Sequence, residues 1–387
     1  MARAGTVARR ATAGLLAAAV VTTVGAPLAY AADRQTPTKA TSGTADGRQP
    51  KGLRTAVDRL VADGQPGVIV MTRRGNKVAH LGAGVADQET GTPMDPRLQI
   101  RIASISKTFT ATVLLQLVAE HRLSLDDTVD HWLPGVVRAG GNDGRHITVR
   151  NLLQHTSGLN EYALDPRIQT QPERVWKPQE LVDIALEKKP LFEPGKGWSY
   201  ANTNYILAGM IIEKVTGHRV ESEIGRRIIR PLGLKHTSMP QGTGFSGPYV
   251  HGYYGSYGDV STLISPSSGW TSGGMISTVD DVAKFHRALF TGRLLPRAQQ
   301  RELTTTRAVI DDGTPENYGL GVYRVRLRCG SAWGHDGGWP GYRTWAYTSK
   351  DGKRQAIISY NQTDEKLQAD PNFRADLKKV TEAAFCG

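Results

Sequence analysis

Ser104-Ile105-Ser106-Lys107 places a hydroxyl and an amine three residues apart at the mouth of a very apolar stretch. Positions i and i+3 share one face of a helix, so these two side chains can meet. An amine held in a buried first turn loses basicity, because burial disfavours its charged form. A neutral lysine then supplies the base that a serine nucleophile needs, with no histidine involved. The stretch runs on to Glu120, and Phe109, Val113, Leu114, Leu115, Leu117 and Val118 cover most of its circumference. Such a helix is expected to be buried on all sides. Two later groups carry further chemistry, Tyr200-Ala201-Asn202 and His335-Asp336-Gly337-Gly338. No serine sits in a G-x-S-x-G elbow, and no H-E-x-x-H occurs among the ten histidines. A serine elbow of the α/β-hydrolase kind and a zinc-peptidase helix are therefore not signalled, and no metal or cofactor is expected.

The elements that must position these residues can be read from period and punctuation. Gly67 to Arg73 and Lys77 to Gly82 read as a hairpin around Gly75-Asn76. Thr148 is expected to cap Val149 to Gln154, which ends in His155-Thr156-Ser157-Gly158-Leu159. Pro178 to Glu187 has helical period, and a strong helix from Asn204 to Thr216 stops at Gly217. Gly242 to Gly274 is rich in Gly, Ser and Tyr, as irregular walls of a binding site often are. Thr278 caps a helix from Val279 to Phe290. Strands are expected over Tyr318 to Leu327, Thr344 to Thr348 and Ala356 to Tyr360, with Lys350-Asp351-Gly352-Lys353 as a turn. Asp370-Pro371 opens a last helix ending near Phe385. Strands at both ends thus bracket a mainly helical middle. The expectation is an α+β fold, one antiparallel β-sheet flanked by helices with an inserted helical region. Its sheet part would span 52–110 and 282–387, and its helical part 111–281.

The first 31 residues read as a secretory signal peptide. Arg3, Arg9 and Arg10 form a positive start, Ala13 to Val24 an apolar run, and Ala29-Tyr30-Ala31 a cleavage site. The Arg9-Arg10 pair leaves twin-arginine export open beside the general route. Residues 32–51 are polar and lack apolar periodicity, as a disordered spacer would. No later stretch is long and apolar enough to span a bilayer. A secreted protein with its folded part over 52–387 is expected. The formal charge is +12, with the positive residues scattered rather than gathered in a stripe with aromatics. Nucleic acid is a poor partner for that pattern. The two cysteines, Cys329 and Cys386, favour a disulfide in an exported chain. Closing that loop stabilises by about 4 kcal/mol in the chain-entropy account.

Ser104-x-x-Lys107, Tyr200-Ala201-Asn202 and His335-Asp336-Gly337-Gly338, in that order, resemble the serine penicillin-recognising hydrolases. The resemblance is to the branch of class C β-lactamases and Streptomyces-type D-alanyl-D-alanine carboxypeptidases. It extends through Leu114-Leu115-Gln116-Leu117-Val118, Tyr318-Gly319-Leu320-Gly321 and Ala384-Phe385-Cys386-Gly387. It implies that Ser104 attacks an acyl carbon and that the N–H groups of Ser104 and Gly338 form the oxyanion hole. Lys107 would take the serine proton or hold Tyr200 as phenolate, two alternatives that the sequence leaves open. Tyr200 would protonate the leaving group and Asn202 would bind a substrate amide. His335 would add field and a proton-network contact, and Trp270 would line the cleft. The resemblance also implies pairing of Cys329 with Cys386. β-Lactams become expected acylating ligands, cell-wall peptides or other small D-amino-acid compounds the expected substrates, and a monomer the expected state.

The pattern departs from the carboxypeptidases where they grip a substrate's terminal carboxylate. An arginine and two hydroxyl residues are replaced by Tyr323, Asp336 and Gly338. Asp336 would repel an incoming carboxylate. Arg324, Arg326 or Arg343 are the candidates to restore a positive clamp. The main expectation is a D-Ala-D-Ala carboxypeptidase-like serine hydrolase. The alternatives are a D-stereospecific endopeptidase, amidase or esterase that needs no terminal carboxylate, and a penicillin-binding module without turnover.

Overall fold

The computed structural model describes residues 48–311 and 314–387. The expected signal peptide and most of the expected spacer lie outside the described residues. Leu53–Ala62 forms α1, and the hairpin β1 (Gly67–Arg74) and β2 (Lys77–Gly84) follows as expected. Helix α2 (Ser106–Ala119) is preceded by a 3₁₀ turn at Ala103–Ile105. Helices α3 (Asn202–Thr216) and α4 (Val279–Phe290) bound the middle of the chain. Then come β3 (Arg307–Asp311), β4 (Thr314–Tyr318), β5 (Tyr323–Leu327), β6 (Gly330–Trp339), β7 (Tyr342–Thr348), β8 (Arg354–Tyr360) and α5 (Pro371–Cys386).

These strands make one antiparallel sheet in the order β2-β1-β8-β7-β6-β5-β4-β3. The N-terminal hairpin joins the C-terminal strands through β1 and β8, with Val70 opposite Ile358. The strand period of two divides the side chains between two cores. Val68, Val70, Ile358 and Tyr360 pack toward α1 and α5, whereas Ile69, Met71, Ile357 and Ala346 belong to the larger core with α2 and α4. Phe109 of α2 stacks on Phe285 of α4 at 3.7 Å. The expected subdomain limits at 110/111 and 281/282 fall inside α2 and α4, each continuous because its apolar surface packs along its whole length.

Tyr318 to Leu327 is two strands rather than one. The chain reverses at Gly319–Val322, where the Gly319 N–H donates to the Val322 carbonyl and Gly321 takes φ +77°. A β-carbon at Gly321 would stand 2.8 Å from Ala111 Cβ and 2.9 Å from Tyr205 Oη, so only glycine lets this turn press on α2 and α3. Cys329, between β5 and β6, is bonded to Cys386 at the end of α5. The Arg74 guanidinium adds a second tie there, donating to the carbonyls of Phe385 and Ala384. Replacing both cysteines by alanine is expected to cost about 4 kcal/mol. A melting curve should show that loss with kcat per folded molecule retained, since the bridge ties the β5–β6 turn to the end of α5 and touches none of Ser104, Lys107 and Tyr200.

Candidate active site

Every residue from Ser106 to Leu115 of α2 is buried, Lys107 included. The helix carries three threonines inward, and each hydroxyl is satisfied. Thr108 donates to the Gly321 carbonyl, Thr110 to that of Thr271 and Thr112 to that of Thr108. Those bonds fix α2 against the Gly319–Val322 turn and against the helical turn Trp270–Gly273. Just before it, Ala103 holds a left-handed φ of +46°, a state that costs a non-glycine residue about 1–3 kcal/mol. The Ser106 hydroxyl bonds the Ala103 carbonyl at 2.6 Å and receives the Met275 N–H at 3.2 Å, which pins the strained residue. The result is a half-exposed Ser104 on a rigid corner.

Lys107 Nζ lies 3.0 Å from Ser104 Oγ, 2.6 Å from Asn202 Oδ1 and 2.8 Å from the Ser272 carbonyl. Burial lowers its pKa from 10.5 to about 7, with Glu161 and Asp336 opposing that shift. The stoichiometry of these bonds carries information. Two of the three partners can only accept, and a neutral amine has two hydrogens and one lone pair. In the neutral form those two acceptors take both hydrogens and leave the lone pair for the Ser104 hydroxyl, whereas in the charged form the third hydrogen goes to Ser104 Oγ. Tyr200 is hydrogen bonded with Ser104 as well, and burial raises its pKa well above 10 despite that bond. Its ring sits 4.8 Å from Lys107 Nζ. Asn202 opens α3, its N–H held by Glu161 Oε2 at 2.7 Å. With Oδ1 occupied by Lys107, its Nδ2 hydrogens are the donors left for a ligand.

His335 and Gly338 lie on β6, a strand so rich in glycine that it shows no alternation in sequence. A β-carbon at Gly337 would stand 2.1 Å from the Ile102 carbonyl, so glycine lets β6 touch the corner that carries Ser104. Gly337→Ala is therefore expected to disrupt the Ser104 corner and cut acylation by an activated ester at least about 100-fold; near-normal acylation would show that the corner tolerates displacement. His335 is fully buried, and burial lowers its pKa to about 4. Its Nδ1 meets the Asp336 carbonyl at 2.5 Å and so carries the proton, while Nε2 accepts from Tyr318 Oη at 3.2 Å. The neutral imidazole contributes a dipole rather than a net charge, and its link to the network runs through Tyr318, a residue that sequence reasoning did not single out for the site.

The three candidate arginines separate cleanly. Arg324 and Arg326 are exposed on the opposite side of β5 from Tyr323, whose buried ring packs on Tyr318 at 4.6 Å and near His335 at 5.1 Å. Arg343 faces Gly338 across the β6–β7 ladder, and its Nη2 pairs with Asp336 Oδ2 at 2.6 Å. A β-carbon at Gly338 would stand 2.5 Å from Arg343 Nη1. The bare backbone at Gly338 leaves room for the guanidinium beside Asp336. Trp270 opens the helical turn whose Ser272 carbonyl holds Lys107. Its indole N–H donates to Glu221 at 3.1 Å, and it borders a separate cavity with Trp176, Glu213 and Met239.

Residues 53–380 match the β-lactamase family. The chain belongs to that family. It is a serine hydrolase of the β-lactamase and penicillin-binding-protein superfamily, and its large antiparallel sheet with flanking helices is that fold. Among solved structures it is similar to a D-stereospecific amidohydrolase from Streptomyces sp., at 39% identity and a TM-score of 0.78, covering 88% of this chain and 99% of that one. A D-amino acid amidase from Ochrobactrum anthropi SV3 matches at 28% identity and a TM-score of 0.76, over 86% and 98%. A putative penicillin-binding protein of Bacillus subtilis strain 168 is 28% identical over 381 residues, 92% of this chain and 90% of the relative. These relatives support the amidase alternative better than the carboxypeptidase expected first.

Proposed function

We propose that this protein is an exported D-stereospecific amidase that cleaves D-amino-acid amides or short D-peptides through an acyl-Ser104 intermediate. The observation that carries it is the bond pattern at Lys107, which fits a neutral amine facing the Ser104 hydroxyl. Lys107 Nζ takes the Ser104 proton as Oγ attacks the amide carbon. The oxyanion forms between the N–H groups of Ser104 and Gly338, where preorganised donors act best. Tyr200, held protonated by burial, gives its proton to the departing nitrogen as the C–N bond breaks, and the proton held by Lys107 restores the phenol. Water then attacks the acyl carbon as Lys107 receives its proton, and Lys107 returns that proton to Ser104 Oγ as the acyl C–O bond breaks and the acid leaves. The alternative in which Tyr200 waits as phenolate is disfavoured by the direction of its shift.

The choice of amide over free acid rests on the Asp336–Arg343 pair. A substrate carboxylate at about 4 Å from each charge would gain about 4 kcal/mol from Arg343 and lose about as much to Asp336, taking an effective dielectric near 20. No net clamp remains. D-Stereospecificity and amide preference are supported by the two amidase relatives, and acylation by β-lactams by family membership. Export is supported by the leader-like start and by the disulfide, which persists in oxidising compartments. The test compares a D-amino-acid amide, its L-enantiomer and a peptide ending in free D-Ala-D-Ala. The D-amide should lead both by at least ten-fold in kcat/KM. A clear preference for the free acid would return the carboxypeptidase reading.

The amine sets the pH dependence. Acylation should rise with pH through about 7, as folded Lys107 loses its proton. Its pKa is depressed relative to the unfolded chain, so the unfolded state binds the extra proton between about 7 and 10.5. Lys107 thus makes the fold more stable as pH rises across that window, and the whole of that contribution is absent below it. Stopped-flow acylation by an activated ester at constant ionic strength checks the rate limb, and a flat profile from pH 5 to 9 would contradict it.

A further inference from the structure

We propose that His155 is a positioning residue for Tyr200, acting as a neutral template that holds the phenol where the leaving nitrogen departs. This rests on the proton-donating role of Tyr200 proposed above. His155 is fully buried and keeps a left-handed φ of +58°. Its Nδ1 receives the Ala201 N–H at 3.2 Å and meets Asn204 Nδ2 at 3.0 Å. Asn204 is oriented by Ser157, whose hydroxyl donates to Asn204 Oδ1 at 2.6 Å, so the amide presents N–H to the imidazole. Nδ1 is therefore a lone-pair acceptor of two bonds, and the ring proton sits on Nε2.

The backbone of the same residue completes the grip. The His155 carbonyl accepts the Ser199 N–H at 3.0 Å. Residues 199 and 201, the two neighbours of Tyr200, are thus both tied to His155, and the imidazole packs on the Tyr200 ring at 4.3 Å. Nε2 has no hydrogen-bond partner among the described residues, and the rings of Tyr318 and Tyr205 lie 5.0 and 5.3 Å away. An apolar residue would fill this space without an unmet N–H. What histidine adds is the Nδ1 acceptor facing Ala201. The residue carries backbone strain and an unsatisfied donor at a place where its bonds to Ser199 and Ala201 flank Tyr200.

A purely structural residue and a template for proton delivery separate by leaving group. An amide nitrogen must be protonated to depart, whereas p-nitrophenolate departs without a proton. His155→Phe keeps an aromatic ring and removes the acceptor. Its kcat for a D-amino-acid amide should fall about 100-fold, the scale of a lost general acid, while acylation by the matching p-nitrophenyl ester falls less than about three-fold. His155→Asn places Oδ1 where Nδ1 stood and tolerates the positive φ, so it should recover at least about ten-fold of the amide rate. Thermal melts confirm that each variant is folded. Equal losses on amide and ester, or no rescue by asparagine, would overturn the template role. Tyr200→Phe is the control for the underlying reading. If it shows no amide-selective loss, the role of Tyr200 fails first, and if it does while His155→Phe does not, only the template fails.

Discussion

Ser104→Ala is expected to abolish turnover of every substrate, by about 10⁴-fold or more, because no second nucleophile shares the hydrogen bond with Lys107. The substitution removes one half-exposed hydroxyl and leaves Asn202 and the Ser272 carbonyl to hold the amine. Thermal stability should therefore stay within about 1 kcal/mol of wild type. Retained hydrolysis by folded Ser104→Ala protein would place the nucleophile elsewhere. Full binding of a substrate amide with no release of amine is the companion observation, since Asn202 and Gly338 remain in place.

Lys107→Arg should be as damaging to rate and worse for the fold. A guanidinium stays charged at any working pH, so it cannot take the Ser104 proton, and about 10³-fold or more in acylation is lost. Burial already drives the native lysine toward its neutral form, and arginine has no such escape. Lys107→Met separates the two effects. It removes the charge and the base together, so it should fold better than the arginine variant and acylate no faster. An arginine variant with near-native acylation would rule out a neutral base. A methionine variant that fails to fold would show that the bonds to Asn202 and Ser272 hold α2 in place.

The serine and lysine were legible in sequence because their relation is local, three residues along one helix whose apolar coverage announces burial. The N-terminal hairpin, the cap at Thr148 and the cysteine pair were legible for similar reasons, and the capping box of Thr148 with Asn151 is present. What escaped depends on contacts across the chain. The break between Tyr318 and Tyr323 is set by what Gly321 must avoid on α2 and α3. The glycines of β6 hide its strand period while letting it reach the Ser104 corner. The selection of Arg343 over Arg324 and Arg326 follows from register, with Arg343 opposite Gly338 and the other two on the far side of β5. The bond from the Trp270 indole to Glu221 is likewise a contact across the chain that the sequence does not show. His155 was visible only as the end of a helix, because its partners lie on a segment more than forty residues away.

The proposed substrate choice rests on that selection. Asp336 alone would repel anions and Arg343 alone would recruit them, so their pairing underlies the proposed preference for an uncharged amide. Arg343→Ala should expose Asp336 and lower kcat/KM for a free-acid peptide about ten-fold further, with a smaller effect on the uncharged amide. Equal effects on both would assign Arg343 a structural role only.

The most direct measurement is the mass of the protein after acid quench during turnover of an activated D-amino-acyl ester, followed by peptide mapping. A single acyl adduct on Ser104, absent from Ser104→Ala and formed faster as pH rises through about 7, is the predicted result. Folded, hydrolytically active protein with no adduct, or with an adduct on another residue, would contradict acyl transfer through Ser104.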